Sequence, residues 1–129
     1  MTDKKLRDLA QDASTRSHSP YSKAKVGSAV LTENGTTYQG CNIENSSYGG
    51  TVCAERVAIW KAVSEGHSKL KKIYVYTDAG WPPCGMCLQV MTEFASLDLE
   101  ITFGDKAGNE KIKKLGELLT HAFTPDHLK

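Results

Sequence analysis

The chain has 129 residues, with 16 lysines and arginines against 15 aspartates and glutamates, for a formal net charge of +1. That length suits one domain with one core, and the balanced, interspersed charge gives no electrostatic footprint for a nucleic acid or a membrane surface. No apolar run approaches the roughly 20 residues that cross a bilayer, and four cysteines are too few for a disulfide-dense scaffold.

The opening Met1-Thr2-Asp3-Lys4-Lys5 leads into a polar, helix-like stretch and not the apolar core of a secretion signal, so the expected compartment is a reducing cytoplasm. Leu6, Leu9, Ala10 and Ala13 recur at helical spacing, which predicts an amphipathic helix over residues 3–16, ended by Ser19-Pro20. Val26–Leu31 and Thr36–Cys41 read as strands joined at Glu33-Asn34-Gly35, where Asn-Gly signals a tight hairpin whose two turn positions accept positive φ. Residues 53–65 lack glycine and proline and carry Ala54, Val57, Ala58, Trp60 and Val63, a helix. Ile73–Thr77 is a strand by its β-branched and aromatic content. A helix follows over 85–97, with Val90, Met91, Phe94 and Leu97 toward the core, and then strands at Leu99–Phe103 and Glu110–Lys114. The order α-β-β-α-β-α-β-β predicts an α/β fold of one domain over residues 1–129. It is a three-layer α/β/α arrangement with a mixed five-stranded sheet and helices on both faces.

Three cysteines stand at helix starts. Cys53 opens the second helix, and Cys84 and Cys87 open the third, in Pro82-Pro83-Cys84-Gly85-Met86-Cys87. Residues three apart at a helix start can face one ion, and the free N–H groups there favour the thiolate form that binds metal. If both starts converge, three thiolates hold one zinc ion and leave the fourth position open, the mark of a catalytic and not a structural site. A divalent ion with three thiolates carries a net negative charge, which Arg56 is placed to offset by hydrogen-bonding the ligand sulfurs. Glu55 lies two residues from Cys53 and reaches the open position without ligating, as a general base and then a general acid.

Two readings of the cysteines compete with catalytic zinc. Trp81-Pro-Pro-Cys84-Gly-Met-Cys87 after a strand is also a thioredoxin-like dithiol arrangement, although redox chemistry needs neither Cys53 nor Glu55. Cys41 could close a four-ligand structural site, but a lone thiol at a strand end reads as core packing. His18, His67, His121 and His127 lie in turns or the tail and read as surface residues. The paired lysines 4–5, 71–72 and 113–114 sit on separate elements, as a solvated surface and not a groove.

Cys53-Ala54-Glu55 followed by Pro83-Cys84-Gly85-Met86-Cys87 resembles the zinc deaminase signature. More narrowly, the chain is similar to the short, homotetrameric, three-cysteine cytidine deaminases. Tyr21-Ser22-Lys23 with Val26-Gly27, Gly40-Cys41-Asn42-Ile43-Glu44-Asn45, Tyr48 and Ala122-Phe123-Thr124-Pro125 all agree with that pattern. The resemblance implies zinc on Cys53, Cys84 and Cys87, one ion per chain, with Arg56 behind the sulfurs and Glu55 as the proton shuttle. It further implies that Asn42 and Glu44 bind the ribose hydroxyls and that Ala54 contacts the substrate. Tyr48 and Phe123 would reach a neighbouring subunit's site. The implied reaction is hydrolytic deamination of cytidine and 2′-deoxycytidine to the uridines and ammonia, in pyrimidine salvage.

Two positions depart from the family pattern. Ala24 stands where a phenylalanine usually packs on the pyrimidine ring, and Leu88 stands where an arginine usually follows the second motif. A small residue near Ala24 also suits a deaminase of another aminopyrimidine nucleoside, such as blasticidin S, whereas Asn42–Tyr48 follows the cytidine pattern.

Overall fold

The structure is a computed structural model that describes residues 2–129. A five-stranded sheet in the order β2-β1-β3-β4-β5 forms its middle layer. The strands are β1 (Gly27–Thr32), β2 (Thr37–Cys41), β3 (Leu70–Tyr76), β4 (Glu100–Gly104) and β5 (Glu110–Lys114), and the helices are α1 (Asp3–Ser14), α2 (Ala54–Ser64), α3 (Gly85–Phe94) and the short α4 (Leu115–Leu118). Only β3 and β4 pair in parallel; the other three pairings are antiparallel. The expected mixed sheet with helices on both faces is therefore present.

Side-chain alternation divides the core in two. On one face Ala29, Leu31, Tyr74 and Tyr76 pack against Leu6 and Ala10 of α1. On the other, Val30, Ile73, Val75, Ile101 and Phe103 pack against Ala58, Ile59 and Ala62 of α2 and Met91 of α3. Covered on both faces, β1 is buried along its whole length, and its two hydroxyls are paired: Ser28 donates to the Tyr74 carbonyl at 2.8 Å and Thr32 to the Thr36 carbonyl at 3.1 Å. The outer strand β5 is exposed throughout, and its lysines 111, 113 and 114 discourage pairing with another sheet edge.

Several boundaries differ from the sequence expectation for physical reasons. The Asn-Gly hairpin is not a two-residue turn. Thr32 N–H donates to the Thr36 carbonyl at 2.9 Å across a three-residue loop, and Gly35, at φ 90°, takes the left-handed position. Helix α1 ends at Ser14, before Ser19-Pro20, with Thr15 bonding back to the Asp12 and Ala13 carbonyls. Helix α3 stops at Phe94 because Ala95 is extended and the Ser96 hydroxyl accepts from Asp98 N–H at 3.2 Å, a local turn competing with the helix. Leu97 is consequently exposed and not part of the core. Helix α4 was not anticipated; at four residues it is too short for a periodic signal, and the Glu117 carboxylate caps it by accepting from Lys114 N–H at 2.9 Å.

Helix α2 lies directly on β2 at Gly40. A β-carbon there would stand 2.5 Å from both the Ala54 carbonyl oxygen and the Ala58 nitrogen. Gly40→Ala must push the helix off the sheet and is expected to cost about 1–3 kcal/mol, read as a lower urea midpoint. Gly49→Ala, where a β-carbon meets nothing within 4 Å, is the control and should stay within about 0.5 kcal/mol.

Candidate active site

Strands β2 and β3 both run antiparallel to β1, so they run parallel to each other and end at one edge of the sheet. Each is followed by a helix on the same face, so α2 and α3 begin side by side at that edge. Cys53 and Cys84 occupy the N-cap positions of these two helices, both with extended backbone, and Cys87 lies in the first turn of α3. The Sγ atoms of Cys53 and Cys84 are 3.7 Å apart and those of Cys84 and Cys87 are 3.6 Å apart. All three lie within 4.8 Å of one another and form the one potential metal-binding cluster among the described residues. Cys41 and the histidines are outside it.

Three soft sulfur donors at this spacing fit zinc, and three protein ligands leave the fourth tetrahedral position free. The electrostatics agree with a thiolate site. The Cys53 thiol is pulled down to about 5, chiefly by a hydrogen bond from Cys87 and further by Arg56 and Cys84, against the opposing effect of burial. Cys87 is pushed up by its side of the same contact and by burial. The surroundings thus favour the thiolate at Cys53 over that at Cys87. Arg56 Nη2 donates to Cys53 Sγ at 3.4 Å, while its guanidinium lies 5.8 Å from the Trp60 ring centroid. Arg56 Nε is buried without a hydrogen-bond partner.

Glu55 sits in the first turn of α2 and is 3% exposed. Burial pushes its carboxyl up to about 7, and the neighbouring Cys53 charge adds to the rise. A carboxyl held there exchanges protons readily at neutral pH. In front of it opens a cavity of about 240 Å³, whose wall includes Glu55, Cys53, Cys84, Ala54, Asn42 and Glu44.

Asn42 and Glu44 also hold the loop before β1. Asn42 Oδ1 accepts from Val26 N–H at 3.0 Å and its Nδ2 donates to the Ala24 carbonyl at 2.8 Å. The Glu44 carboxylate accepts from the backbone N–H groups of Tyr21 at 2.9 Å and Ser22 at 3.1 Å, and from the Ser22 hydroxyl. Tyr48 is exposed, with its ring centroid 5.5 Å from that of Tyr21, on an adjoining shallow surface that also reaches Glu44. Phe123 lies elsewhere in this chain, exposed and stacked on His127, with its carbonyl accepting from Gln89 Nε2 at 2.7 Å. Leu88 is buried on the core-facing side of α3.

Sequence reasoning missed Thr77 and Trp81 as cavity walls. The available signal was position alone: Thr77 follows the carboxyl end of β3, and ligands in open α/β sheets bind beyond such ends.

A buried carboxylate beside an open three-thiolate centre defines a class of zinc-dependent hydrolases that shuttle a proton at the metal. The family described as the cytidine and deoxycytidylate deaminase zinc-binding region matches residues 1–101. The chain is 41% identical over 126 residues to a cytidine deaminase of Sporosarcina psychrophila, spanning 96% of this chain and 93% of that protein. It is 43% identical over 111 residues to one of Halalkalibacterium halodurans, spanning 84% of each. The crystal structure of a cytidine deaminase from Burkholderia pseudomallei is similar with a TM-score of 0.92 at 37% identity, covering 95% of this chain and 100% of that one. The chain belongs to this cytidine and deoxycytidylate deaminase family.

Loss of the cation behind the sulfurs should loosen the metal. Arg56→Gln is expected to lower zinc affinity about 10- to 100-fold, measured by competition with a chromophoric chelator. Cys41→Ser should leave it unchanged.

Proposed function

We propose that the protein is a zinc-dependent deaminase that converts cytidine and 2′-deoxycytidine to uridine and 2′-deoxyuridine with release of ammonia. The observation that carries this reading is the buried Glu55 carboxyl placed beside three converging thiols in one cavity. Membership of the family and the names of its relatives agree with it.

In this reading Cys53, Cys84 and Cys87 hold one zinc ion per chain. When bound, zinc supplies a Lewis acid that makes water a competent nucleophile at neutral pH. Glu55 takes a proton from the attacking water as the new C–O bond forms at C4 of the base, and passes that proton to N3. Glu55 then takes the second water proton and delivers it to the exocyclic amine, the C4–N bond breaks, and ammonia leaves. A carboxyl held near neutrality serves both directions of transfer, which a fully ionised surface glutamate does poorly. Arg56 offsets the excess negative charge of three thiolates, and the two helix N-termini assist it.

Asn42 and Glu44 present the remaining hydrogen-bonding capacity of the cavity to the ribose hydroxyls, and Ala54 lies against the substrate. Asn42 keeps one free N–H and Glu44 one unfilled acceptor direction after their loop contacts. Tyr48 and Phe123 are exposed aromatic residues suited to a neighbouring subunit, in line with a homotetramer. The whole chain acts as one deaminase domain in pyrimidine salvage. No helix among the described residues is long and apolar enough to cross a membrane, and a reducing cytoplasm would keep the three ligand thiols available.

The purified protein should carry one zinc per chain and deaminate cytidine, followed by the loss of ultraviolet absorbance. Glu55→Gln should keep the zinc and lose about 10²–10⁴-fold in kcat; near-normal turnover in that variant would overturn the assignment. Removal of zinc by a chelator should abolish turnover and lower Tm, since the assembled three-thiol site binds the ion more tightly than the unfolded chain does.

A further inference from the structure

Next to the cavity at the thiols lies a second one of about 380 Å³, bounded by Lys23, Ala24, Lys25 and Asp78. The two cavities share Thr77 and Trp81 as a common wall. Neither side of the second cavity is a loose loop. Ala24 is tied at both backbone groups: its N–H donates to Ser22 Oγ at 3.1 Å, and its carbonyl accepts from Asn42 Nδ2 at 2.8 Å. Lys23, before it, holds a left-handed backbone at φ 63°, and its N–H donates to the Ser19 carbonyl at 3.0 Å. Opposite, Trp81 N–H donates to Thr77 Oγ1 at 2.7 Å and fixes the shared wall. The space therefore depends on how little side chain residue 24 carries.

The orientation of a substrate follows from the reading proposed above, on which this inference rests. A pyrimidine with C4 at the thiols and N3 at Glu55 turns its C5 edge away from α2. Thr77 and Trp81 line this cavity and the second one alike, so the two adjoin along that segment. We propose that this cavity receives a substituent on C5 of the base, so that the protein accepts aminopyrimidine nucleosides with a bulky C5 extension, and that Ala24 determines this specificity. Two lysines against one aspartate make the cavity more hospitable to an uncharged or acidic extension than to a cationic one.

The test compares cytidine with 5-propynylcytidine on zinc-loaded wild type, Ala24→Phe and Ala24→Leu. Wild type should turn over both within about threefold in kcat/KM. Ala24→Phe should lower the ratio of kcat/KM for the propynyl substrate to that for cytidine about tenfold or more, with Ala24→Leu in between. If Ala24→Phe fails to fold, the leucine variant carries the comparison. Calorimetric binding of the product 5-propynyluridine reads the cavity without turnover. Tight binding to wild type that weakens about tenfold in the variants supports the proposal even if no cytidine is deaminated, in which case the reaction assignment alone falls. Rejection of the propynyl compounds by wild type by more than about 100-fold, or parallel losses on both nucleosides in the variants, would overturn it.

Discussion

The site depends on one topological constraint: two strands that both run opposite to β1 must deliver two helix starts to one edge of the sheet. Cys53 and Cys84 are 31 residues apart in sequence, yet their sulfurs come within 3.7 Å. Neither helix alone offers more than two ligands. The antiparallel pairing of β1 with β2 and with β3 makes their two followers neighbours. Gly40 then lets α2 settle onto β2 closely enough for its N-terminus to stay in line with that of α3. The chemistry is set by how the sheet is strung.

That arrangement gathers like charges, and the surroundings answer it in layers. The two helix N-termini and Arg56 favour charge on sulfur, while burial of Glu55 disfavours charge on the carboxyl. Cys53 and Glu55 are two residues apart but are pushed in opposite directions, because one meets donors and the other meets apolar walls and a neighbouring negative sulfur. Burial and hydrogen bonding on a single helical turn thus favour charge at Cys53 and disfavour it at Glu55.

Much of this was legible in the sequence because it is local or strongly patterned. The helix starts at Cys53 and Cys84, the β-branched and aromatic content of β3 and the Glu55–Cys53 spacing all follow from short-range rules, and the fold class follows from the order of elements. What was not legible depended on longer contacts or on competition between local bonds. The hairpin closes at Thr32 and Thr36 because of strand register, which Asn34-Gly35 alone does not specify. Helix α3 surrenders its last turn to the Ser96–Asp98 contact. Asn42 and Glu44 read as ligand-facing residues, yet they also fasten the segment around Ala24, a bond pattern with no periodic signature. Trp81 becomes a cavity wall only because β3 ends where it does.

The ligands' position at the very beginnings of two helices has a consequence for how the protein is made. A nascent chain that has formed only its first hairpin and α2 can offer one thiol from Cys53, and α3 on its own can offer two. The three-donor centre comes into being only when β3 has taken its place beside β1 and both helices have docked. The full donor set is therefore a product of the finished sheet. A chain with its strands out of register does not bring its three sulfurs together, so the complete ligand set and the correct fold stand or fall as one.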